Sequence, residues 1–227
     1  MQILYEDNHI IAVNKTCHDI VQGDKTGDPT LLDAVKAYIK EKYNKAGNVF
    51  LGLPHRLDRP TSGVVLFAKT SKALIRLNDM FRSHDSIEKI YWAITAKLPP
   101  AEEGTLQNYL IRSEAENKSY VARINKDGSY PKEAKQAILE YKVIAKAERY
   151  NLIQVRLLTG RHHQIRCQLA AIGCPVKGDL KYGAPRSNPD GGISLHARSI
   201  SFIHPVAKQQ VTIVAPVPED SIWQIFE

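Results

Sequence analysis

The sequence predicts an α+β fold built on a largely antiparallel, mixed β-sheet with flanking helices, and three features predict it. Near the start, two apolar runs, Ile3-Leu4-Tyr5 and Ile10-Ile11-Ala12-Val13, flank the polar Glu6-Asp7-Asn8-His9 as the arms of a hairpin do. From about residue 104 to 158 the chain reads as successive strands and hairpins. Three stretches beginning at Thr30, Ser71 and Thr159 carry apolar residues at helical spacing.

Length and charge set the outer bounds. The 227 residues suffice for one large domain or two small ones, and we read them as one domain over 1–227. Lysine and arginine total 31 against 24 acidic residues, a net charge of +7. That excess suits a polyanion, nucleic acid foremost, although charge alone is equally served by solubility. Cys17, Cys167 and Cys174 are too few and too scattered for a disulfide framework or a zinc site. No basic segment followed by a long apolar core opens the chain, and no apolar run is long enough to span a membrane. The expectation is a cytoplasmic protein with no membrane partner, a monomer by default.

In chain order, residues 16–29 hold Gly23, Gly27 and Pro29 and read as a loop. Thr30 caps a helix with Asp33 three residues on and Leu31, Val35 and Tyr38 on one face, stopped near Gly47. Val64–Lys69 is a buried strand. Ser71 caps a second helix with Leu74, Leu77 and Phe81 inward, leaving Arg76 and Arg82 solvated or near phosphates. Glu88–Ala96 is a strand by its β-branched and aromatic content. Strands follow at Leu106–Leu110, Tyr120–Arg123, Ala137–Val143 and Leu152–Leu157, with turns at 126–129 and 148–151; Lys132, Lys135 and Lys142 suit an exposed sheet face or a phosphate backbone equally. The third helix turns Ile165, Leu169 and Ile172 inward and ends at Gly173. Val211–Pro216 is a last strand, and a short helix from Glu219 carries Trp223 and Phe226.

Chemistry concentrates at Leu53-Pro54-His55-Arg56-Leu57-Asp58-Arg59-Pro60-Thr61-Ser62-Gly63, between two apolar segments. A turn needs Pro60 and Gly63; it does not need a carboxylate flanked by His55, Arg56 and Arg59. Cations this close favour an ionised Asp58, a candidate nucleophile held on a loop. From charge alone, an ordinary surface ion pair accounts for it as well. Arg166, beside the apolar stripe of the third helix, cannot be wholly solvated, and Asp58 is a natural partner for its guanidinium. His162 and His163, adjacent on a helix, would point about 100° apart and could not readily share a metal.

His-Arg-Leu-Asp-Arg-x-Thr-Ser-Gly followed by an apolar strand ending Ala-Lys resembles the catalytic motif of the RluA family of pseudouridine synthases. Lys89-x-Tyr91-x-Ala93, Gly160-Arg161-x-His163-Gln164-Ile165-Arg166, Pro175–Gly183 and Leu195-His196-Ala197 resemble that family's further motifs, in order and over nearly the whole chain. The resemblance implies a pseudouridine synthase-like fold with a central basic cleft. It implies catalytic roles for Asp58, for Tyr91 against the target base, and for Arg166 paired with Asp58. It further implies that Arg56 enters the space left by a flipped base, with His55, Arg59, Arg161 and Leu195 contacting RNA or substrate. Pro175–Gly183 reads as structural support of the pocket. Pro60 and His162 depart from the family's commoner pattern, and Pro60 should stiffen the loop. The family's longer members carry a separate RNA-binding domain first; with a strand from residue 3, no room for one is expected here.

The implied reaction converts uridine to pseudouridine in tRNA or large-subunit (23S-type) ribosomal RNA, or both. It needs a flipped base, a carboxylate acting at C1′ or on the pyrimidine ring, and exclusion of water. Substrate and product are isomers, so neither a metal nor an organic cofactor is expected. Two other readings stay open: an RNA-binding protein without turnover, and a nucleoside hydrolase that would release free uracil.

Overall fold

The computed structural model describes residues 1–23, 27–83 and 86–226. Part of the expected loop at 16–29 lies outside the described residues. In chain order the elements are β1 (Gln2–Glu6), β2 (Ile10–Lys15), α1 (Leu31–Lys42), β3 (Ser62–Ala68), α2 (Ser71–Ser83), β4 (Ile87–Thr95) and β5 (Glu103–Ser113). There follow β6 (Lys118–Val121), β7 (Lys135–Lys146), β8 (Asn151–Leu157), α3 (Gln164–Ala171), a 3-10 turn (Leu180–Tyr182), β9 (Leu195–Ile203), β10 (Gln210–Val214) and α4 (Ser221–Gln224). The α+β class with a mostly antiparallel sheet is as expected. No described helix is long and apolar enough to cross a membrane.

The chain packs as two compact units, Met1–Glu88 with Ala197–Pro218, and Lys89–His196 with Glu219–Glu227. In the first, β1 and β2 form the expected hairpin, and β2 runs antiparallel to β3 from Ile10↔Ala68 to Lys15↔Gly63. Every residue of β3 is buried, as its unbroken apolar run demands. β10 pairs antiparallel with β9. Ile10, Ala12, Val64, Leu66, Leu77, Ile200, Phe202 and Ile213 pack into one core.

The helices of this unit depart from expectation at their ends. Thr30 caps α1, its hydroxyl accepting from the Asp33 amide at 3.1 Å and donating to the Asp33 carboxylate at 2.6 Å. The buried stripe is Leu31, Val35 and Ile39, while Tyr38 turns its hydroxyl to Glu6. The helix stops before Gly47, because Asn44 takes the left-handed conformation (φ 49°) that a side-chain amide tolerates. α2 is capped by Thr70, whose hydroxyl accepts from the Ala73 amide, and not by Ser71. Arg76 is half-buried and anchored, its guanidinium donating to the Pro205 carbonyl at 2.6 Å.

In the second unit the strand order is β4-β8-β7-β5-β6, each neighbour antiparallel. Ala93, Leu139, Ile153, Val155, Ile165, Leu169 and Leu195 form its core. α3 begins at Gln164, five residues later than Thr159, because His163 sits at φ 52°, ψ 26°, where no right-handed helix passes. Its residues 164–169 are buried on every face. Their amide nitrogens find partners on the sheet: that of Gln168 donates to Leu106, Asn108 and Ala137, and that of Gln164 to Ile138.

Candidate active site

In the first unit, the loop bearing Asp58 is pinned at both ends. Gly52 exchanges backbone hydrogen bonds with Ala68 at 2.8 and 2.9 Å, in a spot where any Cβ would collide with Leu74. At the far end Gly63 has φ +114°, and a Cβ there would sit 2.6 Å from the Ala197 nitrogen. Between them Leu57 is buried, anchoring the loop, so its neighbour Asp58 is left half-buried. The Thr61 amide donates to the Asp58 carbonyl at 3.0 Å, closing a four-residue turn around Pro60.

His55 serves this loop. Its Nε2 accepts from the Leu66 amide at 2.9 Å and its ring stacks on Phe81 at 4.5 Å, tying the loop to β3 and α2. Arg56 and Arg59 are exposed, and Arg59 makes a long, solvated pair with Asp28 at 3.6 Å. Lys15, to which the sequence drew no attention, is 1% exposed, and its ammonium donates to the carbonyls of Thr16, Arg59 and Thr61. Burial pulls its pKa down to about 8, against the opposing pull of Asp19, Cys17 and Asp58.

In the second unit, Tyr91 lies on β4 opposite Val155, half-buried against the core. Lys89, two residues before it, is buried, and desolvation lowers its pKa to about 8. Arg166 is gripped bidentately by Asp179, Nε to Oδ2 at 2.6 Å and Nη2 to Oδ1 at 2.9 Å, with both side chains almost wholly buried. The Tyr182 ring lies 5.1 Å from the same guanidinium. Asp179 and Tyr182 belong to the Gly-Asp-x-x-Tyr-Gly stretch, so that segment aims Arg166 as well as turning the chain.

Tyr182 does a second job. Its hydroxyl accepts from the Ser119 amide at 2.8 Å, bonds the Ser119 carbonyl at 3.1 Å and meets His163 Nδ1 at 3.0 Å. Burial, ahead of the opposing Ser119 amide, raises the pKa of this phenol and keeps it neutral. His162 and His163 do not splay: their rings stack at 3.8 Å, 22° from parallel, because the left-handed turn at His163 removes the helical offset. Ser119 Oγ reaches both the ring and the carbonyl of His162. Arg161 is not in a first helical turn but in the loop before α3, exposed, with Nε donating to the Gln136 carbonyl. Leu195 is a core side chain, 4% exposed.

Asp58 is thus assembled with His55, Arg56 and Arg59 in one unit, and Tyr91, Arg161, Arg166 and Leu195 belong to the other. Lys15, Asp179 and Tyr182 are the additions. Only Asp179 and Tyr182 had a signal, as polar residues in a glycine-punctuated segment; Lys15 ends an ordinary strand and had none. Among the described residues no three His, Cys, Asp or Glu side chains gather as a metal site would require.

The fold has close counterparts among solved structures. Human RNA Pseudouridylate Synthase Domain Containing 4 superimposes with a TM-score of 0.80 at 24% identity, covering 96% of this chain and 89% of that one. Human RNA Pseudouridylate Synthase Domain Containing 1 gives 0.71 at 22% identity, over 96% and 83%. By sequence, the tRNA pseudouridine synthase C of Haemophilus ducreyi is 34% identical, covering all of this chain and 94% of that protein. The ribosomal large subunit pseudouridine synthase D of Zymomonas mobilis is 33% identical, over 97% and 70%. Residues 9–171 match the RNA pseudouridylate synthase family, a span that includes Asp58, Tyr91 and Arg166. The chain belongs to the RNA pseudouridylate synthase family.

Proposed function

We propose that the protein isomerises uridine to pseudouridine within structured tRNA or large-subunit ribosomal RNA, with Asp58 as the catalytic carboxylate. The observation that carries this reading is the single family match running through all three stretches that bear Asp58, Tyr91 and Arg166. Relatives named for each RNA class stand at nearly equal identity, so both remain substrate classes.

The target base leaves the stack, and Arg56, exposed two residues before Asp58, fills the space behind it. Tyr91 offers a ring face on which the uracil stacks. The Asp58 carboxylate supplies the electron pair, at C1′ or at the ring, that lets the N1–C1′ bond break. The uracil turns, C5 bonds to C1′, and the C5 proton is exchanged for one at N1. Atoms balance and no electrons leave, so no redox cofactor enters. Arg166 supplies a fixed positive charge to this chemistry, oriented by Asp179. Arg59 and Arg161 add positive charge toward the RNA, and His55 and Leu195 serve as supports. One catalytic domain over 1–227, acting as a monomer in the cytoplasm, completes the proposal.

The test incubates total RNA lacking the protein's modifications with purified protein and maps pseudouridine at single-nucleotide resolution, with Asp58→Asn in parallel. Sites made only by the unmodified protein support the reading and name the substrate. Tight RNA binding without any new site would favour a binder without turnover; release of free uracil would favour a hydrolase.

A further inference from the structure

In the first unit a cleft of about 460 Å³ lies between α1 and the segment that leads into the Asp58 loop. Lys36, Ala37 and Lys40 line one side, and Gly47, Asn48 and Val49 the other. None of these residues enters the reaction. Lys36 and Lys40 sit one helical turn apart on one face of α1, where like charges weaken a helix. Among the described residues neither ammonium has a hydrogen-bond or ion-pair partner. Lys42, two residues on, shows the contrast: Glu6 meets it at 2.7 Å. The nearest carboxylates in sequence are turned elsewhere. Asp33, one turn before Lys36, is taken by the Thr30 hydroxyl, and Glu41 projects about 100° around the helix from Lys40.

The opposite wall can donate as well. Among the described residues no main-chain hydrogen bond engages the amides of Asn48 and Val49, and Gly47 has no side chain to close the cleft. Two unneutralised cations facing free amides across an open cleft fit a phosphate diester. Phe50, next along the chain, is 47% exposed, a ring face on which a base can stack and for which inorganic phosphate has no use. We propose that this cleft binds the phosphate backbone of the RNA substrate away from the target uridine, with Lys36 and Lys40 as paired cations and Phe50 stacking a neighbouring base. This rests on the reading of the protein as an RNA-modifying enzyme. The 47–50 wall runs directly into the loop that Gly52 pins, so RNA held here is gripped by the unit that carries Asp58.

The test measures affinity against salt for unfractionated tRNA and for large-subunit ribosomal RNA. Each phosphate neutralised adds about 0.7 to 0.9 to the slope of log K on log salt. Lys36→Gln with Lys40→Gln should therefore lower that slope by about 1.5 and weaken binding roughly ten-fold or more at about 0.1 M salt. Lys72→Gln with Lys126→Gln removes the same charge from exposed positions outside the cleft, and should change the slope by less than about half as much. Phe50→Ala should weaken binding about five-fold or more and leave the slope unchanged. Equal loss of slope in the two lysine pairs makes the effect one of bulk charge and overturns the proposal.

The unmodified protein carries a second, local readout. Acylation of Lys36 and Lys40 by acetic anhydride, followed by mass spectrometry, should slow when either RNA is bound, and should not slow with inorganic phosphate at the same phosphate concentration. No protection by either RNA overturns the proposal; so does equal protection by inorganic phosphate, which would make the cleft a site for the free ion. Thermal melts check the variants: relief of like-charge repulsion should leave the melting temperature of the cleft pair level or slightly raised. A fall would give these lysines a structural role and overturn the proposal. Binding and acylation need no turnover, so RNA that protects the cleft and is never isomerised sinks the function and leaves the cleft standing.

Discussion

Arg166 shows how a single residue's meaning depends on what surrounds it. A guanidinium on an all-buried helix requires a fixed anion, and Asp179, thirteen residues on, meets two of its nitrogens. Asp179→Asn leaves that cation short of its buried counter-ion, so we expect a loss of roughly 3 kcal/mol in unfolding free energy, read by denaturant titration, together with a fall in kcat. Tyr91→Phe keeps the ring face, so turnover should stay within about ten-fold of the unmodified protein, below the roughly 100-fold that general acid–base catalysis contributes at its low end. A larger loss would assign proton handling to the phenol. At Gly63, φ +114° and the Ala197 backbone leave no room for a Cβ. Gly63→Ala should cost about 3 kcal/mol or more, or prevent folding, because strain and overlap add. Asp58, Tyr91 and Arg166 stood out in the sequence through their ordered motifs, and the family match runs through all three stretches. Lys15 and the role of His55 were not, since both act through main-chain atoms that no side-chain pattern records.

Elements were legible where periodicity was long and uniform, and illegible at their ends. The stripe of α1 and the buried run of β3 follow from spacing alone. The start of α3 does not: one left-handed residue, His163, moved it five residues and stacked two histidines expected to diverge. The cap of α2 likewise sits at Thr70, where two adjacent hydroxyl residues could each have served. Thr70→Ala should therefore destabilise by about 1 kcal/mol and Ser71→Ala by little, as thermal melts would show. β6 is a four-residue strand whose Ser119 is held on both sides by the Tyr182 hydroxyl. Removing that hydroxyl leaves a buried amide and carbonyl unpaired, so Tyr182→Phe should raise amide exchange across β6 and spare β7 and β8.

At the scale of the molecule, charge and one buried carboxylate make testable statements. Net charge of +7 predicts that RNA affinity falls steeply as salt is raised, a slope measurable by binding titration. Glu6 collects Lys42, Lys69, Tyr38 and Tyr43 around one carboxylate. Burial alone would raise its pKa, but the hydrogen bonds from Lys42, Lys69, Tyr43 and Tyr38 outweigh it and bring it to about 2. A depressed folded-state pKa contributes stability that is fully present above the unfolded value near 4.5 and lost as pH falls through about 2. Unfolding free energy should therefore decline over that window, and Glu6→Gln should flatten the decline. The sequence by itself determined the class of fold, the order of its strands along the chain and the family, because hydrophobic period and contiguous motifs are local properties of a chain. Tertiary structure alone decided that the chain packs as two units, that Asp179 grips Arg166 and that Lys15 holds the Asp58 turn. Those depend on contacts between separate segments, thirteen residues apart for Arg166 and Asp179 and more than forty for Lys15 and the turn, made by hydrogen bonds whose partners are chosen only once the backbone has folded back on itself.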